Sequence, residues 1–176
     1  SGSSNMDEKV GQLTPFKDLA EGLANKGIAS IRYDKRSFAH GLKMVRDKNT
    51  IITVKEETID DAILATELLK KDSRIDSHNI FIIGHSMGGM LAPRIDSEGG
   101  KYKGLIIMAG TPRKLEDIVL EQNEDVLSST KGLVNWIVRK QVAKLSGLFS
   151  GLYELSDEEA KKKKVNWTRI LALVLA

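Results

Sequence analysis

The feature that most narrows what this chain folds into is the run Asn79-Ile80-Phe81-Ile82-Ile83-Gly84-His85-Ser86-Met87-Gly88-Gly89-Met90-Leu91. Ile80 to Ile83 is unbroken in apolar character, as a strand covered on both faces requires. Gly-His-Ser-Met-Gly follows, and then small residues that open a helix: a G-x-S-x-G pattern in a strand–turn–helix setting. A strand that reverses into a helix over about one residue strains the backbone of that residue and packs its neighbours two positions away almost into contact. Gly84 and Gly88 have no Cβ to collide there. The result is a hydroxyl at the end of the sheet, at the positive end of a helix, beside the free N–H of Met87. Ser86 is therefore the candidate nucleophile and the Met87 N–H a candidate oxyanion donor. G-x-S-x-G alone is common. The apolar strand before it and the helix start after it set this one apart from a chance match.

The 176 residues, 41% hydrophobic and 29% charged, give an ordinary globular composition with room for one core. A net charge of +3 is too weak to imply a nucleic-acid partner. The chain has no cysteine, which excludes disulfides and a thiolate metal site and fits a cytoplasmic chain. His40, His78 and His85 show no metal-ligand spacing, so no metal is expected, and no cofactor motif is present. No apolar run is long enough to span a bilayer, so no membrane role is expected.

In chain order, Thr14 and Pro15 open a helix whose buried stripe is Phe16, Leu19, Ala20 and Leu23 and which ends at Gly27. Gly27 to Tyr33 then reads as a short buried strand. Asp34 to Glu57 reads as a long charged loop with one strand-like piece, Thr50 to Val54. Loops at the carboxyl ends of strands carry sites in α/β sheets, which would bring Asp34, Lys35, Arg36 and His40 toward Ser86. The plainer reading of those charges is a solvated loop held by local ion pairs. Thr58 is the expected cap of the next helix, whose inner face is traced by Ile59, Ala62, Ile63, Thr66 and Leu69. After the Ser86 turn a helix runs to Ile95 with Pro93 near its start or kinking it, and Ser97 to Gly100 breaks it. Gly104 to Gly110 reads as another parallel strand covered on both faces. Beyond Pro112 the period is helical, with stripes at Leu115, Ile118, Val119 and Gln122 and at Val134, Ile137, Val138, Gln141, Leu145 and Leu148. Ser156 reads as a further helix start ahead of four lysines, Lys161 to Lys164, at a solvated helix end. Trp136, Phe149, Tyr153 and Trp167 read as core, with an acyl pocket as the other use of such aromatics.

This order of elements resembles the α/β-hydrolase fold, and the nearest likeness is to bacterial esterases related to dienelactone hydrolases and serine aminopeptidases. The resemblance runs from Ser1 to about Arg113. It is carried by Ser1-Gly2-Ser3-Ser4-Asn5-Met6-Asp7-Glu8, Pro15-Phe16-Lys17-Asp18-Leu19-Ala20, Ile31-Arg32-Tyr33-Asp34-Lys35-Arg36, Gly84-His85-Ser86-Met87-Gly88-Gly89 and Leu105-Ile106-Ile107-Met108-Ala109-Gly110. It implies a mostly parallel α/β-hydrolase-type sheet with flanking helices over residues 1–113 and a helical cap over 114–176. It also makes the Ser1–Gly2 stretch an oxyanion loop, with Gly2 the second donor. In such proteins a catalytic Asp or Glu and then a His follow the serine, and no histidine follows Ser86 here. The first strands are missing too, which leaves a gap between the strands expected at Ile28–Tyr33 and Ile80–Ile83. The chain accordingly reads as an interior piece of a larger hydrolase.

The function expected is a serine hydrolase acting on a small-molecule ester or related acyl substrate. Adjacent residues leaving a strand project to opposite sides, so His85 is expected to pack or hydrogen-bond beside the turn, and His85 and His40 are the pocket candidates. The rival reading is a non-catalytic binding module on the same scaffold. Phosphate binding at the glycines is weakly supported, because neither G-x-G-x-x-G nor a P-loop pattern is present.

Overall fold

The computed structural model describes residues 4–46 and 53–153, and the chain divides into two units, Ser1–Thr111 and Pro112–Ala176. The first unit contains α1 (Pro15–Ala24), α2 (Arg36–Arg46), a π-helical turn (Lys55–Ile59) that runs into α3 (Asp60–Lys71), β1 (Phe81–His85), α4 (Met87–Ile95), a second π-helical turn (Asp96–Gly100) and β2 (Gly104–Met108). The second unit contains α5 (Leu115–Ser129) and α6 (Gly132–Tyr153).

β1 and β2 pair in parallel, with Phe81 opposite Gly104 and His85 opposite Met108. Parallel neighbours need a crossover, and here α4 supplies it, packing on both strands. Pro93 lies inside α4 without ending it. The helix runs on into the second π-helical turn, where Gly99 at φ +144° leaves helical space. The core sits beneath β1, where Ile59, Ala62 and Ile95 are buried among Val54, Ile63, Ile82, Leu91 and Tyr102. Ile59 and Ile95 are the fully buried large side chains, each contributing about 1.5–3 kcal/mol by leaving water. Their burial locks α3 and α4 together under the strand that carries the Ser86 turn.

Several expectations change. Ile28–Tyr33 has no regular structure and joins no strand among the described residues, and Ile28 and Ile31 stay exposed. A strand exists through its pairing, and no described strand lies alongside this run. A groove of about 700 Å³ runs beside it, lined by Ala29, Ile31, Leu68, Leu69 and Ile75 among others. β2 pairs as expected but is not covered on both faces: Ile106, Ile107 and Met108 are exposed, as is Phe81 on β1. Asp34–Glu57 is not a loop, because α2 and the first π-helical turn occupy most of it. Val54 is helical rather than strand, while Thr50–Ile52 lies outside the described residues. Thr58 is buried inside the π-helical turn, so it caps nothing.

In the second unit α5 and α6 pack on each other across a two-residue link, Thr130–Lys131. The Asn135 amide closes that link by donating to Leu127 O at 2.7 Å and Thr130 O at 3.1 Å. Gln122, Val134 and Ile137 of the expected stripes are exposed, while Ile118 and Val138 are half-buried. Trp136 is exposed rather than core, with the Lys140 ammonium 4.0 Å from its ring centre. Residues Ser156, Lys161 to Lys164 and Trp167 lie outside the described residues.

Candidate active site

The turn between β1 and α4 is a single residue. Ser86 has φ +53° and ψ −119°, outside the regions a non-glycine residue ordinarily occupies and at a cost of about 1–3 kcal/mol. Close glycine packing makes the turn attainable. A Cβ on Gly84 would lie 2.3 Å from Gly88 O, and one on Gly110 would lie 2.9 Å from Gly89 C. The backbone of α4 thus sits against the ends of both strands, where a side chain at any of these positions would hold it away. Two hydrogen bonds fix the serine: its N–H donates to Met108 O at 2.9 Å, and its carbonyl accepts from Met90 N at 3.1 Å. A serine at the start of a helix ordinarily caps it through the side-chain oxygen. Ser86 does not, which leaves its half-exposed hydroxyl unused by α4. Met87, the first residue of α4, has its side chain buried, and its N–H belongs to the first helical turn, which has no intrahelical acceptor.

His85 sits beside the turn. Its Nδ1 lies 3.0 Å from Glu8 Oε2, and its ring lies 5.8 Å from that of Phe16 in α1. Glu8 itself is held at φ +50°. His40 is exposed on α2, and among the described residues no hydrogen bond joins it to Ser86. His78 is exposed in the turn before β1, where its N–H donates to Asp76 Oδ1 at 2.9 Å. Gly2 lies outside the described residues; the nearby Ser4 carbonyl accepts from Lys35 N at 3.1 Å.

The charges of residues 34–36 are spent on joining segments. Asp34 Oδ1 accepts from Met6 N at 2.8 Å, and Arg36 pairs through two nitrogens with Asp61. Lys35 donates to Thr58 Oγ1 at 3.1 Å. Burial pulls the Lys35 ammonium below its ordinary pKa, with Glu57, Asp61 and Glu8 opposing that shift. Glu57, 3% exposed, accepts from Ser37 N with both carboxylate oxygens and from the Ser37 hydroxyl. Burial, and after it Asp61, push the Tyr33 hydroxyl well above its ordinary pKa.

Sequence reasoning missed this buried polar layer and the Glu8 contact to His85. A signal for α2 was present in Phe38, Leu42 and Val45, which recur at helical spacing. The Glu8–His85 contact spans 77 positions and has no local signal.

Among the described residues no cluster of three or more His, Asp or Glu is arranged to hold a metal ion, and no helix is long and apolar enough to cross a membrane. A family model described as serine aminopeptidase, S33, matches residues 11–166. The esterase EstD of Thermotoga maritima is 39% identical over 122 residues, a stretch covering 69% of this chain and 28% of that protein. No solved structure matches.

Proposed function

The chain belongs to the serine aminopeptidase S33 family of the α/β-hydrolase superfamily, and from that premise we propose that the whole protein is a serine esterase whose nucleophile is Ser86. The observation that carries this reading is the strained Ser86 backbone at a one-residue strand-to-helix turn, with a hydroxyl that caps nothing. Oγ adds to the acyl carbonyl as its proton passes to a general base. The tetrahedral oxyanion is held by Met87 N–H and an N–H of the Ser1–Gly2 stretch. Collapse expels the alcohol, which takes up the proton, and water then releases the acid from Ser86 by the same steps in reverse order. The reading requires a base other than His78, exposed in its own turn, and other than His85, engaged by Glu8. His40, exposed on α2, is not assigned the role either. Residues 1–113 are the hydrolase core and 114–176 the cap, which selects the acyl or alcohol group. The substrate is a small-molecule ester, and the location is cytoplasmic, in keeping with the cysteine-free composition.

The test is Ser86→Ala in the whole protein, assayed on an acyl-ester series. Loss of a triad nucleophile lowers kcat by about 10⁴-fold or more. Retained activity in Ser86→Ala overturns the assignment. A second reading is a non-catalytic binding module on this scaffold. That reading gains if the unaltered protein hydrolyses no ester and Ser86 resists a phosphonate probe.

A further inference from the structure

The segment from Ser4 to Leu13 is tied to the rest of its unit at Ser4, Met6, Asp7 and Glu8. Ser4 O accepts from Lys35 N, Met6 N donates to Asp34 Oδ1, and Arg32 Nε donates to Asp7 Oδ1 at 2.9 Å. Within the segment, Glu8 N donates to Asn5 O and Lys9 N to Asn5 Oδ1, both at 3.1 Å, closing a tight turn. These three ties, at residues 4, 6 and 7, lead to Arg32–Lys35. Glu8 leads elsewhere, to the ring of His85, the residue bonded directly to Ser86.

We infer that Glu8 and His85 are a positioning pair for Ser86: their hydrogen bond pins the Ser4–Leu13 segment to the β1–α4 turn and so fixes that segment's backbone relative to the Ser86 hydroxyl. This rests on the reading of Ser86 as the nucleophile. Three features support it. Glu8 holds a left-handed backbone at φ +50°, a conformation that persists in a non-glycine residue where the surroundings impose it. The Glu8 side chain is 15% exposed and that of His85 37%, so the bond is partly shielded from water. The His85 ring is also braced by Phe16, whose N–H reaches Asp7 O at 3.4 Å, so α1 closes the same corner. The Nδ1 contact to the carboxylate and the Phe16 ring together orient the imidazole. Neither residue needs to touch substrate. Both act through the geometry of the turn and of the segment that leads back to Gly2.

The test uses the whole protein with Glu8→Ala, His85→Ala, the double variant, and the conservative Glu8→Gln and His85→Asn. Misplacing a reacting group by about 1 Å costs on the order of 10²-fold, so each alanine variant is expected to lower kcat by about 10–100-fold with KM little changed. The double variant should fall no further than the worse single one, because both remove the same contact. Glu8→Gln keeps an acceptor and His85→Asn a donor at the Nδ1 position, and both should recover most of kcat. Amide exchange at Glu8 and Lys9 should quicken about tenfold in Glu8→Ala, return in Glu8→Gln, and stay unchanged in Ser86→Ala. Wild-type kcat and exchange in Glu8→Ala, or a Gln variant as impaired as the Ala one, overturn the pair even if Ser86 is confirmed. If Ser86→Ala keeps its activity, the nucleophile reading fails. The exchange data then decide on their own whether the pair pins the segment.

Discussion

Two apolar runs of this molecule behave in opposite ways. Ile80–Ile83 enters β1, pairs with β2, and is pressed from one side by α4 and the Ile59–Ile95 core. Ile28–Tyr33 carries two isoleucines and an alanine in six residues, against three isoleucines in the four of Ile80–Ile83, and it is irregular, unpaired among the described residues, and open to solvent at Ile28 and Ile31. The difference lies in what each run needs from afar. β1 is built into a local unit: glycines at 84, 88, 89 and 110 let strand, helix and next strand touch within about one stretch of chain. Ile28–Tyr33 carries no such device. Its conformation depends on a neighbour that pairs with it.

The sharpest way to break this contrast is at Gly84. A Cβ there would sit 2.3 Å from Gly88 O and 2.7 Å from Gly89 N, both backbone atoms that cannot swing aside. Gly84→Ala should destabilise the first unit by about 3 kcal/mol or more, an overpacking cost at the upper end of the usual range. A urea midpoint close to that of the unaltered protein shows that the one-residue turn is not the tight unit described. A smaller effect of opposite sign is expected at Ser86. Glycine accepts φ +53° at little cost, so Ser86→Gly should be about 1 kcal/mol more stable than Ser86→Ala while losing the hydroxyl. Equal stability of the two variants removes strain from the account of the turn.

The same contrast explains which parts were legible in the sequence. The Ser86 turn was readable because its demands are local: glycines two before and two after the serine, an apolar run upstream and a helix start downstream. α1 was readable from Pro15 and the Phe16–Leu23 stripe, and the two long helices from their period. The layer of buried Ser37, Glu57 and Thr58 with half-buried Lys35 was not. Each of those side chains alone looks like surface, and each meets a partner about 20 positions away. The same applies to Glu8, which reads as part of a polar loop until it meets His85. Long-range polar pairing leaves no periodic trace. The exposure of Ile106 and Ile107 was hidden for a related reason, since an apolar strand reads the same whether or not anything covers it.

The smallest expected effect tests the other half of the comparison. Ile31 is 37% exposed and borders the groove beside α3. In the 176-residue chain Ile31→Thr removes apolar surface that water already reaches and keeps a β-branched side chain, so the change in stability should stay within about 0.5 kcal/mol. The same kind of truncation at Ile95, 2% exposed, removes fully packed methyl groups and should cost more. A urea midpoint for Ile31→Thr that falls as far as that of Ile95→Thr shows Ile28–Tyr33 to be covered in solution. The two apolar runs would then differ in partner rather than in burial. A midpoint that does not move leaves Ile28–Tyr33 as an apolar run without a strand's energetics, because pairing and cover, more than residue type, supply the stability of a strand.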